Sequence, residues 1–354
     1  MNVILLFGGQ SPEHEISLLS ARNIESALLT AGHTIIYIGI TKESGQWHLF
    51  RDIPHVERIA EDQMAPIVYL QKKNGSPLVV FQDCSEKSIS FDCVFPITHG
   101  QCGEDGTLQG MLQMLGIPFV GPSSASSSVC MDKDYTKKIL EAHNLPVVPY
   151  ITAYESTSLS YSEATKTLGS TLFIKPANAG SSIGVSKVKT EDEFNTAFKK
   201  AFSYDSKVLI ETAIVGKEVE CAVLGNSDTI VSDIAEIIPS HDFYSYEAKY
   251  LDPSGAHFII PASIPDAVTE EMKSIAQKAF KALGCQGLAR VDCFITENNT
   301  LYINELNTLP GFTHISMYPT LMEKAGIATH ELVDRLLSLA IEAHKKRSSF
   351  DLRR

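Results

Sequence analysis

The chain has 354 residues, 44% hydrophobic and 20% charged, which is the composition of an ordinary globular protein with material for two or three cores. Its formal net charge of −12 argues against a nucleic-acid surface, which needs a basic patch. The opening "MNVILLFGG" has no basic leader and too short an apolar run to span a membrane, so it reads as a first strand.

In chain order, "NVILLF" is a strand, residues 12–32 a helix ending at Gly32, and "TIIYIGI" a second strand. "FDCVFPIT" follows as a strand, then a glycine-rich loop, the short helix "TLQGMLQMLG" and the strand "IPFVG". Strands alternating with helices predict a parallel sheet covered by helices. No G-x-G-x-x-G follows the first strand, so the dinucleotide fingerprint is absent. The serines of "GPSSASSSV", 121–129, mark a boundary, and a helix over 131–144 comes next.

A smaller α+β unit is built from "STLFIK", the loop "PANAGSSIG", "VSKVK", a helix over 191–202 and "KVLIE". Thr190 and Glu193 have the spacing of a capping box. Then come "KEVECAVLG", a Tyr- and Pro-rich stretch over 239–261, a helix over 266–284, two further strands and an amphipathic helix from about 328. Seven cysteines at 84, 93, 102, 130, 221, 285 and 293 contain no C-x-x-C pair, and read as free thiols in a reducing cytoplasm.

The last two strands carry the strongest chemical signal. In "TLYINELNTLPGFTHIS", 300–316, Leu301 and Ile303 want a core, while Glu305 and Asn307 share one face. A two-residue loop at Asn298-Asn299 would set Asp292 opposite Glu305 and Arg290 opposite Asn307. Two carboxylates about 5 Å apart repel by roughly 3 kcal/mol at an effective dielectric of about 20. A cation therefore belongs between them: Arg290, or Mg²⁺ held by three oxygen-bearing side chains. A surface hairpin with its acids in water is the plain alternative.

Other segments divide in the same way. "FIKPANAGSSIGV", 173–185, is a phosphate-cradling loop with Lys175 at its entrance, or a flexible hairpin loop. "THGQCGEDGTLQG", 98–110, lets backbone approach a ligand and places His99 and Glu104 beside it; a structural histidine is the alternative. Glu13 follows the first strand, where α/β sheets bind ligands and where a helix dipole also favours an acid. "YSYEAKYL", 244–251, reads as a lid or a packed surface loop.

Taken in order, "GGQSPEHEIS", "HGQCGEDGTLQG", "MDK", "KPANAGSSIGV", "EVECAVLGN", "YEAKY", "ARVD" and "NELNTLPGFTHISMYP" closely resemble the D-alanine–D-alanine ligases of the ATP-grasp superfamily over nearly the whole chain. The resemblance implies an α/β three-domain ATP-grasp architecture: residues 1–122 on the substrate side, 123–210 a central subdomain, and 211–354 a C-terminal subdomain with metal site and lid. It implies ATP on Lys133, Lys175, Ser182, Glu211 and Glu218. Two Mg²⁺ ions, with Mn²⁺ as substitute, would lie on Asp292, Glu305 and Asn307.

The reaction implied is ligation of two D-alanines through an acyl phosphate, releasing ADP and phosphate. Arg290 and the Gly311 N–H would steady the oxyanion, and Glu13, Ser181 and Tyr250 would form a hydrogen-bonded triad. His99, Ser316 and Lys249 would contact substrate. Tyr250 favours an amine as second nucleophile over D-lactate, since the related depsipeptide ligases tend to lack a tyrosine there. A D-alanine–D-lactate ligase and a non-catalytic ATP- and amino-acid-binding regulator are the alternatives. A cytoplasmic homodimer supplying peptidoglycan precursors, with no nucleic-acid or membrane partner, completes the expectation.

Overall fold

The structure, a computed structural model of the chain, describes residues 1–56, 58–60, 65–83, 87–239 and 256–350. Strand β1 (Asn2–Gly8) is central to the first sheet, with β2 (Thr34–Ile40) and β7 (Cys93–Pro96) parallel on its two sides and β3 (Trp47–Phe50) antiparallel at the edge. Its run "VILLF" is apolar throughout because both faces are covered. Val3, Leu5 and Phe7 pack against helix α1 (His14–Thr30), while Ile4 and Leu6 pack on the other side with Leu108 and Leu112 of α2 (Thr107–Met114). A separate antiparallel sheet of β4 (Val68–Lys73), β5 (Ser76–Phe81) and β6 (Ile89–Ser90) extends this unit; neither it nor β3 is anticipated from periodicity. "IPFVG" contributes only an isolated bridge from Phe119 to Val94.

The serine cluster forms a helix, α3 (Ser124–Met131). Ser123 caps it by accepting from the Ser126 N–H, and the serine hydroxyls donate outward: Ser124 to Gly106, Ser126 to Gly284, Ser128 to Asp105. Gly106, at φ +91, allows the close approach, since a Cβ there would lie 2.1 Å from Ser128 Oγ. Helix α4 (Lys133–Ala142) follows at once, capped by Asp132.

The central sheet runs β10 (Ser186–Val188), β9 (Leu172–Pro176), β11 (Lys207–Thr212), β8 (Tyr150–Tyr154), all antiparallel. Helices α5 (Tyr161–Leu168) and α6 (Glu191–Phe202) close one face through Ala164, Leu168, Phe194 and Ala197. Thr190 does cap α6, but Glu193 reaches back to the Lys189 N–H instead of to Thr190. The complete capping box belongs to Ser160 and Glu163 on α5.

The third sheet has the order β15 (Ala256–Ile259), β14 (Ala235–Pro239), β12 (Gly216–Gly225), β16 (Gly287–Thr296), β17 (Leu301–Asn307), with β13 (Thr229–Val231) beside β12. Helix α7 (Asp266–Ala282) covers it through Met272, Ile275, Ala276 and Phe280. Helices α8 (Met317–Lys324) and α9 (Thr329–Ser348) return to the first unit, where Leu332, Val333 and Leu336 join the cluster formed by β1 and α1. Among the described residues no helix is long and apolar enough to cross a membrane.

Candidate active site

The β16–β17 hairpin sets Asp292 opposite Glu305 and Arg290 opposite Asn307, by a route other than the expected one. The turn has three residues, not two: Thr296 pairs with Thr300, and Asn299 takes the left-handed conformation at φ +61. Alone, that would shift the acids by one residue and turn them to opposite faces. A β-bulge between Asp292 and Cys293 restores the register by leaving Asn304 without a partner. Asn304 and Glu305, although consecutive, both line the same cleft.

Arg290 supplies the expected positive charge. Its Nε and Nη2 donate to the two Asp292 oxygens at 2.7 and 2.8 Å, and Nε lies 2.9 Å from Glu220 Oε2. Asn307 Nδ2 also donates to Asp292, at 2.9 Å, while Lys133 Nζ lies 3.4 Å from Glu305 Oε2. Among the described residues no three His, Cys, Asp or Glu side chains are grouped so as to hold a metal by themselves. The all-oxygen set of Asp292, Glu305 and the Asn307 carbonyl instead suits a hard cation that completes its shell from phosphates, as Mg²⁺ does.

A cleft of about 660 Å³ opens between the central and third sheets. That falls in the range for a drug-sized ligand, roughly 300–1,000 Å³. Lys133, Lys175, Ser181, Ser182, Glu211, Glu218 and Glu305 all line it. Lys133 Nζ donates to the Ala179 carbonyl at 2.7 Å, tying the first turn of α4 to the loop after β9. Lys175 Nζ lies 2.7 Å from Glu211 Oε2 and 3.2 Å from Asn304 Oδ1. Burial pushes the Glu211 carboxyl up, but Lys137 and Lys175 outweigh it and hold it below its ordinary value. Ser181 and Ser182 have φ of +51 and +59, uncommon for non-glycine residues, at the tip of that loop.

The same loop reaches the first unit, where the Ser181 hydroxyl donates to the Glu13 carboxylate. Glu13 is the N-cap residue of α1 and is 6% exposed. His99, 5% exposed after β7, has its basicity lowered by burial, with Glu13 and the Leu309 carbonyl acting in the opposite sense. On the far side Ser316 Oγ accepts from the Thr313 N–H at 2.9 Å, and a Cβ on Gly311 would lie 2.9 Å from that hydroxyl. Lys249 and Tyr250 lie outside the described residues.

Glu104 completes this corner, and its carboxyl is pushed up to about 8 by burial and the neighbouring Glu13 charge. The folded acid therefore keeps a proton that the unfolded chain releases from about pH 4.5, so stability falls as pH rises between those values. Glu104→Gln, neutral throughout, is expected to gain stability over the unmodified protein progressively as the pH rises from 5 to 8. Urea denaturation of the nucleotide-free protein at the two pH values checks this.

Four participants escape sequence reasoning. Asn304 is exposed to the cleft only by the bulge, and Glu220 reaches Arg290 only because β12 pairs with β16. Lys207 binds Asp132 at 2.6 Å, steadying the residue before Lys133. Lys137 sits behind Glu211; its i+4 spacing from Lys133 in "MDKDYTKK" was the available signal.

Residues 2–122 match the family profile described as D-ala D-ala ligase N-terminus, and residues 139–338 the one described as D-ala D-ala ligase C-terminus. A D-alanine–D-alanine ligase of Proteus mirabilis is 45% identical, covering 98% of this chain and 96% of its own length. One from Oceanobacillus iheyensis is 46% identical, with 97% and 95% covered. Among solved structures, the D-alanine-D-alanine ligase of Coxiella burnetii superposes with a TM-score of 0.84 at 38% identity, covering 98% of this chain and 97% of that one. The VanG D-Ala:D-Ser ligase of Enterococcus faecalis superposes at 0.82 and 35% identity, with 96% and 99% covered. With both family profiles and near-complete relatives in agreement, the chain belongs to the D-alanine–D-alanine ligase family, in an ATP-grasp fold.

Proposed function

We propose that the protein joins two D-alanine molecules into D-alanyl-D-alanine, converting ATP to ADP and phosphate. The observation that carries this reading is the convergence of Lys133, Lys175 and Glu305 on one cleft whose loop touches Glu13 on the substrate side. Lys133 and Lys175 hold the nucleotide phosphates, the Ser181–Ser182 loop covers them, and Glu211 and Glu218 meet the adenine and ribose. Asp292, Glu305 and Asn307 would hold Mg²⁺, or Mn²⁺ in its place, which would neutralise phosphate charge there.

Glu13 receives the ammonium of the first D-alanine, with His99 beside it, and Lys249 approaches the transferred phosphate. The first carboxylate attacks the γ-phosphorus, forming an acyl phosphate as ADP leaves. The amine of the second D-alanine then attacks the acyl carbon, the proton passing toward the Glu13–Ser181–Tyr250 chain, and phosphate departs. Arg290 and the Gly311 N–H steady the oxygen charge that grows in this step, and Ser316 holds the second carboxylate. A cytoplasmic homodimer feeding peptidoglycan precursor synthesis accords with this reading.

D-Alanine, and not L-alanine, is expected to stimulate phosphate release from ATP, with the dipeptide identified by mass spectrometry. The D-Ala:D-Ser neighbour makes D-serine the informative competitor, and D-lactate tests the ester-forming alternative. A depsipeptide as main product, or phosphate release indifferent to D-alanine, overturns the proposal. ATP binding without turnover would mark a regulator instead.

A further inference from the structure

Lys137 takes no part in the mechanism above, yet its side chain is 1% exposed and its Nζ lies 3.0 Å from Glu211 Oε1. The ammonium also donates to the Val148 carbonyl at 3.3 Å and lies 5.4 Å from the centroid of the Tyr150 ring. It lies one turn beyond Lys133 on α4, behind the cleft wall, whereas Glu211 and Lys175 line the cleft itself. The side chains form a chain running outward: Lys137 to Glu211 Oε1, Glu211 Oε2 to Lys175, and Lys175 to Asn304.

We propose that Lys137 is a positioning residue for nucleotide binding, anchoring one oxygen of Glu211 so that the other holds Lys175 at the cleft wall; this rests on the nucleotide reading of the cleft. With Oε1 anchored, Glu211 presents a single oxygen to Lys175, whose remaining protons are directed at Asn304 and the cleft. Without the anchor, the carboxylate rotates and engages the Lys175 ammonium with both oxygens, drawing it away from a bound phosphate.

Burial drives the Lys137 ammonium down to about 8, against the pull of Glu211, which still leaves it mostly charged at neutral pH. The charged groups that bear on it are Glu211 on β11, Lys175 on β9 and Glu305 on β17. Lys137→Met removes one partner of a buried ion pair and leaves Glu211 to Lys175 alone, so some stability is lost whichever role Lys137 plays. A structural role and a positioning role are therefore separated by ligand affinity and not by stability.

The test is calorimetric titration of ADP into the full-length protein, with thermal unfolding and steady-state kinetics alongside. Lys137→Met is expected to weaken ADP about tenfold and to raise KM for ATP similarly, with KM for D-alanine unchanged and the protein still folded at the assay temperature. Because Lys137 acts through Glu211, Lys137→Met combined with Glu211→Gln is expected to bind ADP within about twofold of Glu211→Gln alone. Unchanged ADP affinity in Lys137→Met overturns the inference, as does an equal rise in KM for D-alanine or a Lys137→Met protein that does not fold. Additive losses in the double variant overturn it as well. If the unmodified protein binds no ADP, the nucleotide reading of the cleft fails first, and that outcome is recognisably different.

Discussion

Glu305→Ala is expected to lower D-alanine-dependent ATP turnover by about 10³-fold while the protein stays folded. The Glu305 side chain is 23% exposed, faces the cleft and lies 3.4 Å from Lys133 Nζ. Its removal takes little from the core, so the unfolding free energy should change by less than about 1 kcal/mol. What it removes is an anionic oxygen opposite Asp292, at the position proposed for a divalent cation. Glu305→Gln keeps the volume and an oxygen but loses the charge, and should fall between the two. Phosphate-release kinetics over a Mg²⁺ titration, beside urea denaturation, checks both variants; near-normal turnover of Glu305→Ala would refute the metal assignment.

Arg290→Met is expected to damage the fold as well as the chemistry. Arg290 forks onto Asp292 and touches Glu220, which are 6% and 2% exposed. Breaking a buried charge network by removing one partner leaves its opposite uncompensated, a loss of about 3–5 kcal/mol. Turnover should also fall by about 10²–10³-fold, the range for losing a group that meets developing oxygen charge. The two losses are separable in Arg290→Lys, which keeps the charge but cannot form the fork and should recover more stability than turnover. If denaturation of Arg290→Met shows less than about 1 kcal/mol lost, these carboxylates do not depend on Arg290.

The hairpin shows how far sequence reasoning carries. The pairing of Asp292 with Glu305 follows from the alternation of a strand and a short asparagine-rich turn, both of them local properties. The turn is one residue longer than a two-residue loop, and the bulge at Asn304 compensates for it. Neither compensating feature has a strong local signature, because a bulge answers to the twist and partners of its sheet. The helix in the serine cluster has a similar origin: its hydroxyls find carbonyls at Gly106, Asp105 and Gly284, residues distant in the chain.

The sequence by itself determined the alternation of strands and helices in the first unit, the apolar β1 buried on both faces, and the acids of the last hairpin. Each follows from the side-chain period of one element, or two adjacent ones, and needs no knowledge of distant partners. The tertiary structure alone decided that Lys137 stands behind Glu211 and that Glu220 shares Arg290. Those contacts join residues 74 and 70 positions apart, and a buried charge acquires its partner only when separate elements pack together.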